Sequence, residues 1–270
     1  MKRWIKIIIL FILVVIILIG GWNMYKGLEH NKEAFSANIY SYISPQATKV
    51  ININKEYNID NLLIYDSSLA NIVQLLKNVI PYPAIICYFK GDKKVFLAKA
   101  TSEQEIKLKE YIKNHISPIF PPQIKIYKNG QIQIYNLSGN DFISCTFYKG
   151  IFAMSKSYKQ IENIINIDPE NTFFTNEKYG KEISDIRDNA AVGLFLKHEQ
   201  NMLALDLKIY NDTIKMDGYI LLNEEKDSTS TYFKIMPYLI SLPKNICIDN
   251  TEIQHKDNPP TVKMRLNKMY

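Results

Sequence analysis

"QIKIYKNGQIQIYN", residues 123–136, reads as two alternating strands around Asn129-Gly130. That dipeptide tolerates the positive φ angles of a tight type I′ hairpin. "DFISCTFYKGIFAMSK" (141–156) repeats the pattern around Lys149-Gly150, and "PAIICYFKGDKKVFLAKA" (83–100) repeats it around Gly91-Asp92. "ATKVININ" (47–54) alternates and is β-branched, which predicts another strand. Further strands are expected at 190–198, 202–210 and 213–223, joined by polar turns.

Helical spacing appears between these runs. "SLANIVQLLKNVI" (68–80) carries apolar residues three and four apart and stops at Pro81. "SEQEIKLKEYIKNHI" (102–116) opens with Ser102 and Glu105 at capping-box spacing, and "SYKQIENIINI" (157–167) with Ser157 and Gln160. A further short helix is expected over 176–187. Antiparallel hairpins punctuated by three to four helices predict an α+β fold, a mostly antiparallel sheet with the helices on one face. Alternating strands leave half their side chains polar, which also predicts that one sheet face is wet or covered by the partner half.

The N-terminus adds a different element. The apolar run from Ile7 to Trp22 follows Lys2, Arg3 and Lys6. Trp4 and Trp22 would stand about 27 Å apart on a helix, close to the hydrocarbon thickness of about 30 Å. With Tyr25 they resemble an aromatic belt. No small-x-small cleavage pair follows closely, so an uncleaved signal anchor is expected; a cleaved signal peptide is the alternative. The positive flank places the N-terminus in the cytoplasm. The expected organisation is a cytoplasmic tip (1–6), a transmembrane anchor (7–22), a tether (23–43), an extracytoplasmic α+β domain (44–223) and a terminal segment (224–270).

The formal net charge is +6 over 270 residues. Half of it sits in residues 1–6 and half in 256–270, so the body between is neutral. A nucleic-acid binder needs a concentrated basic face, and this body has none to spare. Three cysteines, Cys87, Cys145 and Cys247, make no disulfide framework. Cys87 and Cys145 sit in strand-like runs and read as buried thiols, although one disulfide stays open.

Catalytic signatures are missing: there is no P-loop, no G-x-G-x-x-G and no G-x-S-x-G elbow. The four histidines are scattered, with no zinc spacing. His198-Glu199 are strand neighbours and point to opposite faces. "DPEN" (168–171) reads as a turn, and Glu182, Asp185 and Asp188 as a charged helix face. No cofactor and no metal are expected. The tail "TVKMRLNKMY" (261–270) reads as an edge strand with one apolar and one basic face. Lys263, Arg265 and Lys268 then either discourage edge pairing or contact an anionic lipid or acidic partner.

"YISPQATKVININKE" (42–56) has an echo in "LISLPKNICIDNTEI" (239–253), a possible start of a second repeat. The stretches Ser44-Pro45-Gln46-Ala47-Thr48-Lys49-Val50 and Tyr148-Lys149-Gly150-Ile151-Phe152-Ala153-Met154-Ser155-Lys156-Ser157 resemble those of a group of bacterial single-pass envelope proteins of unknown function. The resemblance covers about 42–223. It implies an inner-membrane anchor and a periplasmic or extracytoplasmic domain, and it brings no catalytic residues. The expectation is therefore a membrane-anchored interaction or scaffold module, not an enzyme, with the membrane and an envelope protein as partners. The alternatives are a domain binding a lipid or other apolar ligand at the membrane surface, an enzyme of unfamiliar type and a functionless half-copy.

Overall fold

The structure is a computed structural model. It describes residues 2–54, 79, 82–91, 93–137, 141–175, 178–198, 201–210, 213–222, 246–254, 259 and 261–268. The helix expected over 68–80 and the loop over 223–232 lie outside the described residues, apart from Val79 in a turn and Leu222 beside the loop.

Twelve strands form one antiparallel sheet. They are β1 (Lys49–Ile53), β2 (Ala84–Phe89), β3 (Lys93–Lys99), β4 (Gln123–Tyr127), β5 (Gly130–Asn136) and β6 (Phe142–Tyr148), then β7 (Ile151–Ser155), β8 (Val192–His198), β9 (Asn201–Ile209), β10 (Thr213–Leu221), β11 (Ile246–Gln254) and β12 (Thr261–Lys268). Their order is β11-β12-β10-β9-β8-β1-β2-β3-β7-β6-β5-β4. β1 is the keystone. It pairs with β2 on one side and β8 on the other, so it joins the two hairpin series. The C-terminal strands β11 and β12 extend this same sheet through β10.

The helices are α1 (Lys2–Ser36), α2 (Ser102–Tyr111), α3 (Tyr158–Ile165) and α4 (Gly180–Asn189), with a 3₁₀ turn at Ile39–Tyr42. Alternation along the strands creates two apolar faces. On one, Ile51, Ile86, Phe96, Phe152 and Cys145 pack with Leu108 and Ile112 of the α2 region. On the other, Val50, Ile85, Leu97 and Ala153 pack with Ile161 and Ile164 of α3, Ile183 and Ile186 of α4, and Ile39 and Ile43. The sequence placed the helices on one face. α3 and α4 do share a face, whereas α2 lies on the other because β3 and β7 are apolar on both sides. Periodicity within a helix carries no sign of which sheet face it meets.

Local details also shift. Tyr127 pairs with Gly130, so the loop of the β4–β5 hairpin is Lys128-Asn129, with the positive φ on Lys128 (49°). Gly130 instead opens β5, where a Cβ would lie 2.8 Å from Cδ1 of Ile165. The capping box of α2 is Thr101 with Gln104, one residue ahead of the expected Ser102 and Glu105. Ser157 makes no side-chain cap at α3; its N–H donates to Oγ of Ser155 over 2.9 Å.

Over residues 23–43 the anchor helix continues and the segment after it docks on the domain. α1 runs unbroken to Ser36, and Ala34, Ile39 and Ile43 are buried in the domain. Apolar side chains at these positions give the segment a reason to dock.

Candidate functional site

α1 presents its apolar run to the surroundings. Trp4 (73% exposed), Ile7 (55%), Trp22 (60%) and Tyr25 (58%) touch little of the domain. Ile7–Ser36 is long and apolar enough to cross a bilayer. Such a stretch serves as an anchor or a signal sequence. Trp22 and Tyr25 stack with centroids 6.3 Å apart, and Lys26 lies over the Trp22 ring at 5.4 Å.

Just beyond Tyr25 the helix meets the domain. The N–H of Ser102 donates to Oδ1 of Asn31 over 2.9 Å, and its hydroxyl donates to the Gly27 carbonyl over 3.2 Å. Ser102 therefore belongs to the anchor junction, which explains why Thr101 caps α2 instead. His30 Nε2 stands 3.2 Å from Glu105 Oε2, and Glu105 also pairs with Lys109. Further along, Ala34 lies against the β6–β7 turn. A Cβ on Gly150 would come within 2.4 Å of its Cα. Sequence reading missed Gly27, Asn31 and Ser102 as a unit. The one available signal was Gly27 and Asn31 four apart on a helix, hence on one side of it.

The basic tail is not an edge strand. β12 lies between β10 and β11. Lys263 is in register with Asp217 on one side and Glu252 on the other. Arg265 is opposite Lys215 and Asn250, and Lys268 is opposite Ile246. Val262 and Met264 are buried, whereas Lys263 and Arg265 face solvent. Lys208 reaches Asp206 at 3.3 Å and Asp217 at 3.2 Å, and these two carboxylates hold its pKa above the usual lysine value. This half of the sheet is thus wet and charged on one face, with Lys208, Lys215 and Arg265 in one cross-strand row and Asp206, Asp217, Lys263 and Glu252 in the next.

A cleft of about 590 Å³ opens where α4 meets β10 and β12. Glu182, Asp185, Asp188 and Tyr219 line it, with Lys181 at its rim. Tyr219 donates to Asp185 over 2.9 Å; burial, then this carboxylate, raises the phenol pKa. Asp188 is held by a bidentate Arg187, both bonds 2.8 Å. The helix-face reading of these acids is correct, and the fold adds a concavity beside them. The described residues contain no group of His, Cys, Asp and Glu arranged to hold a metal.

Other candidates are structural. Asp168 closes its own turn by accepting from the N–H of Glu170 over 3.0 Å. His115 stacks on Tyr111 at 4.3 Å. His198 ends β8, and Glu199 lies outside the described residues. Cys87 and Cys145 are buried free thiols on opposite sheet faces; burial pushes both pKa values up, that of Cys145 to about 12. The side chain of Cys247 lies outside the described residues.

No protein family matches the sequence, and no curated protein does. Among solved structures the chain is similar to TP0453. Crystal form I of that protein gives a TM-score of 0.47 at 9% identity, over 87% of this chain and 92% of that one. Form IV gives 0.45 at 9% identity, over 87% and 95%. Form III gives 0.44 at 9% identity, over 86% and 95%.

Proposed function

We propose that this chain is a membrane-anchored interaction module, with α1 as a retained single span and the sheet domain outside the cytoplasm. The observation that carries the reading is the junction. A helix apolar through Trp22 continues without a break into the domain and is gripped there by Ser102 and Gly150. A sequence removed after export has no use for such contacts. The positive residues before the run favour a cytoplasmic N-terminus. A protein partner in the envelope fits the neutral body and the charged sheet face, and the reading contains no catalytic step. The described cleft is lined by carboxylates and a lysine, which does not suit an apolar ligand.

The test is fractionation of the full-length protein from its own membranes, with mass spectrometry of its N-terminus and of what co-purifies. Carbonate-resistant protein that still yields the Met1 peptide, with a stoichiometric protein partner, is the expected result. A soluble product lacking residues 1–22 would overturn the anchor reading.

A further inference from the structure

We propose that the sheet face carrying α2 rests on the lipid headgroup layer through Ile119, Phe120, Ile124 and Ile126, as a second membrane contact beside the anchor. The proposal rests on α1 being a retained span.

Large apolar side chains are not scattered over this domain. Among the described residues outside α1, seven remain exposed, and five of them fall between 106 and 126: Ile106 (59%), Ile119 (79%), Phe120 (60%), Ile124 (59%) and Ile126 (69%), the others being Phe142 and Tyr210. Clustered exposed apolar surface marks a contact. Ile124 pairs with Gln133 and Ile126 with Gln131, and directly opposed residues share a face. Gln133 accepts from the Tyr135 hydroxyl, and Tyr135 belongs to the core under α2. Ile124 and Ile126 therefore emerge on the α2 side of the sheet. Ile106 points outward from α2, since Leu108 and Ile112 face the sheet.

The anchor leaves from the same side. α1 meets α2 through Gly27, His30 and Asn31 against Ser102 and Glu105. Met24 and Phe35, about one turn to either side, are 69% and 76% exposed. The contact is short, so α1 meets the first turn of α2 just past the exit of the span. Gly27 follows Trp22 by five residues, a rise of about 7–8 Å. If Trp22 marks the bilayer edge, the first turn of α2 is already at headgroup depth.

The chemistry favours lipid over a second copy. On the α2 side Lys107 and Lys109 pair with Glu103 and Glu105, whereas Lys125 turns to Glu162 and Lys128 to Asn166 on the α3 side. The patch is therefore apolar and close to neutral, and exposed aliphatic and aromatic side chains beside a membrane span suit the lipid interface. Strand addition to β4 is discouraged by Lys125, at the centre of that edge.

The test uses the full chain in vesicles of phosphatidylethanolamine and phosphatidylglycerol. A bimane label is placed through Phe120→Cys or, as a control on the other face, Lys181→Cys, both with Cys247→Ser. Brominated lipids report contact. The protein has two tryptophans, Trp4 and Trp22, so intrinsic emission reports the anchor alone. The expected result is quenched tryptophan, a blue-shifted and quenched label at 120, and an unquenched label at 181. Quenched tryptophan with a water-exposed label at 120 overturns this contact and leaves the anchor reading standing. Unquenched tryptophan overturns both. A label at 120 that is shielded but unquenched, and cross-links to another copy, assigns the face to self-association and overturns the lipid contact.

Discussion

Asn52 and Asn54, two residues apart on and just after β1, both donate their side-chain amides to the main-chain carbonyl of Arg187, each over 2.6 Å. Asn54 also donates to the Ala190 carbonyl over 2.8 Å. The last carbonyls of a helix lack partners within it, so Asn54 closes α4 from the neighbouring strand. Tyr40 completes the cluster through Asn52 and Asn54, and burial raises its pKa. Asn54→Ala should lower the unfolding free energy by about 1–2 kcal/mol, since the Ala190 carbonyl loses its side-chain donor while Asn52 still serves that of Arg187. Asn54→Asp should cost more at neutral pH, because a carboxylate would face two carbonyl oxygens. Chemical denaturation of the detergent-purified protein checks the ranking.

Gly150 has φ of +74° and sits against Ala34 of the anchor helix. Gly150→Ala combines a left-handed backbone, about 1–2 kcal/mol for a residue with a Cβ, with a collision against backbone that no rotamer change relieves. The expected outcome is release of the anchor helix from the β6–β7 turn while the sheet persists. Limited proteolysis should then cut near Glu33–Ser36 in the variant and spare the wild type. Gly20→Ala, with open space around the site, should leave the pattern unchanged.

Lys263 stands between Asp217 and Glu252. Lys263→Glu would place four carboxylates in line, Asp206, Asp217, the introduced one and Glu252, and should destabilise by about 0.5–1 kcal/mol at low salt. The penalty should shrink as salt screens the exposed charges. Lys263→Gln should be close to neutral, since solvated pairs contribute little. Denaturation midpoints at low and high salt separate the two variants.

The strands were legible because alternation is local: β4, β5, β6 and β7 stand close to where the pattern put them. What escaped was every feature decided by a distant partner. Gly130 looks like a turn residue beside Asn129, and only Ile165 shows that it is a packing glycine. Ser102 has capping-box spacing, and only Asn31 and Gly27 show that it is occupied elsewhere. The tail carries lysines as an edge strand would, and only the pairing with β11 moves it inward. The anchor run was plain in composition, but its grip on the domain was not, because small and polar residues at a helix junction have no periodic signature.

The thiols give a final prediction. Cys87 lies in the core under α3 and α4 and Cys145 in the core under α2, so the sheet stands between them and they cannot bond to each other. With both buried, a thiol reagent at pH 8 should find neither in the native protein and both after denaturation; Cys247→Ser removes the third cysteine from the count. Alkali should not release them gradually. Burial holds Cys145 protonated to about pH 12 against an ordinary value of 9.0. Over that window the unfolded chain gives up its proton and the folded chain keeps it. A raised folded pKa contributes stability that is complete below about pH 9 and is lost as pH rises toward 12. Reactivity should therefore appear together with global unfolding, followed by circular dichroism on the same samples. Labelling of Cys145 at pH 9–10 without loss of the sheet signal would show that the core under α2 opens locally.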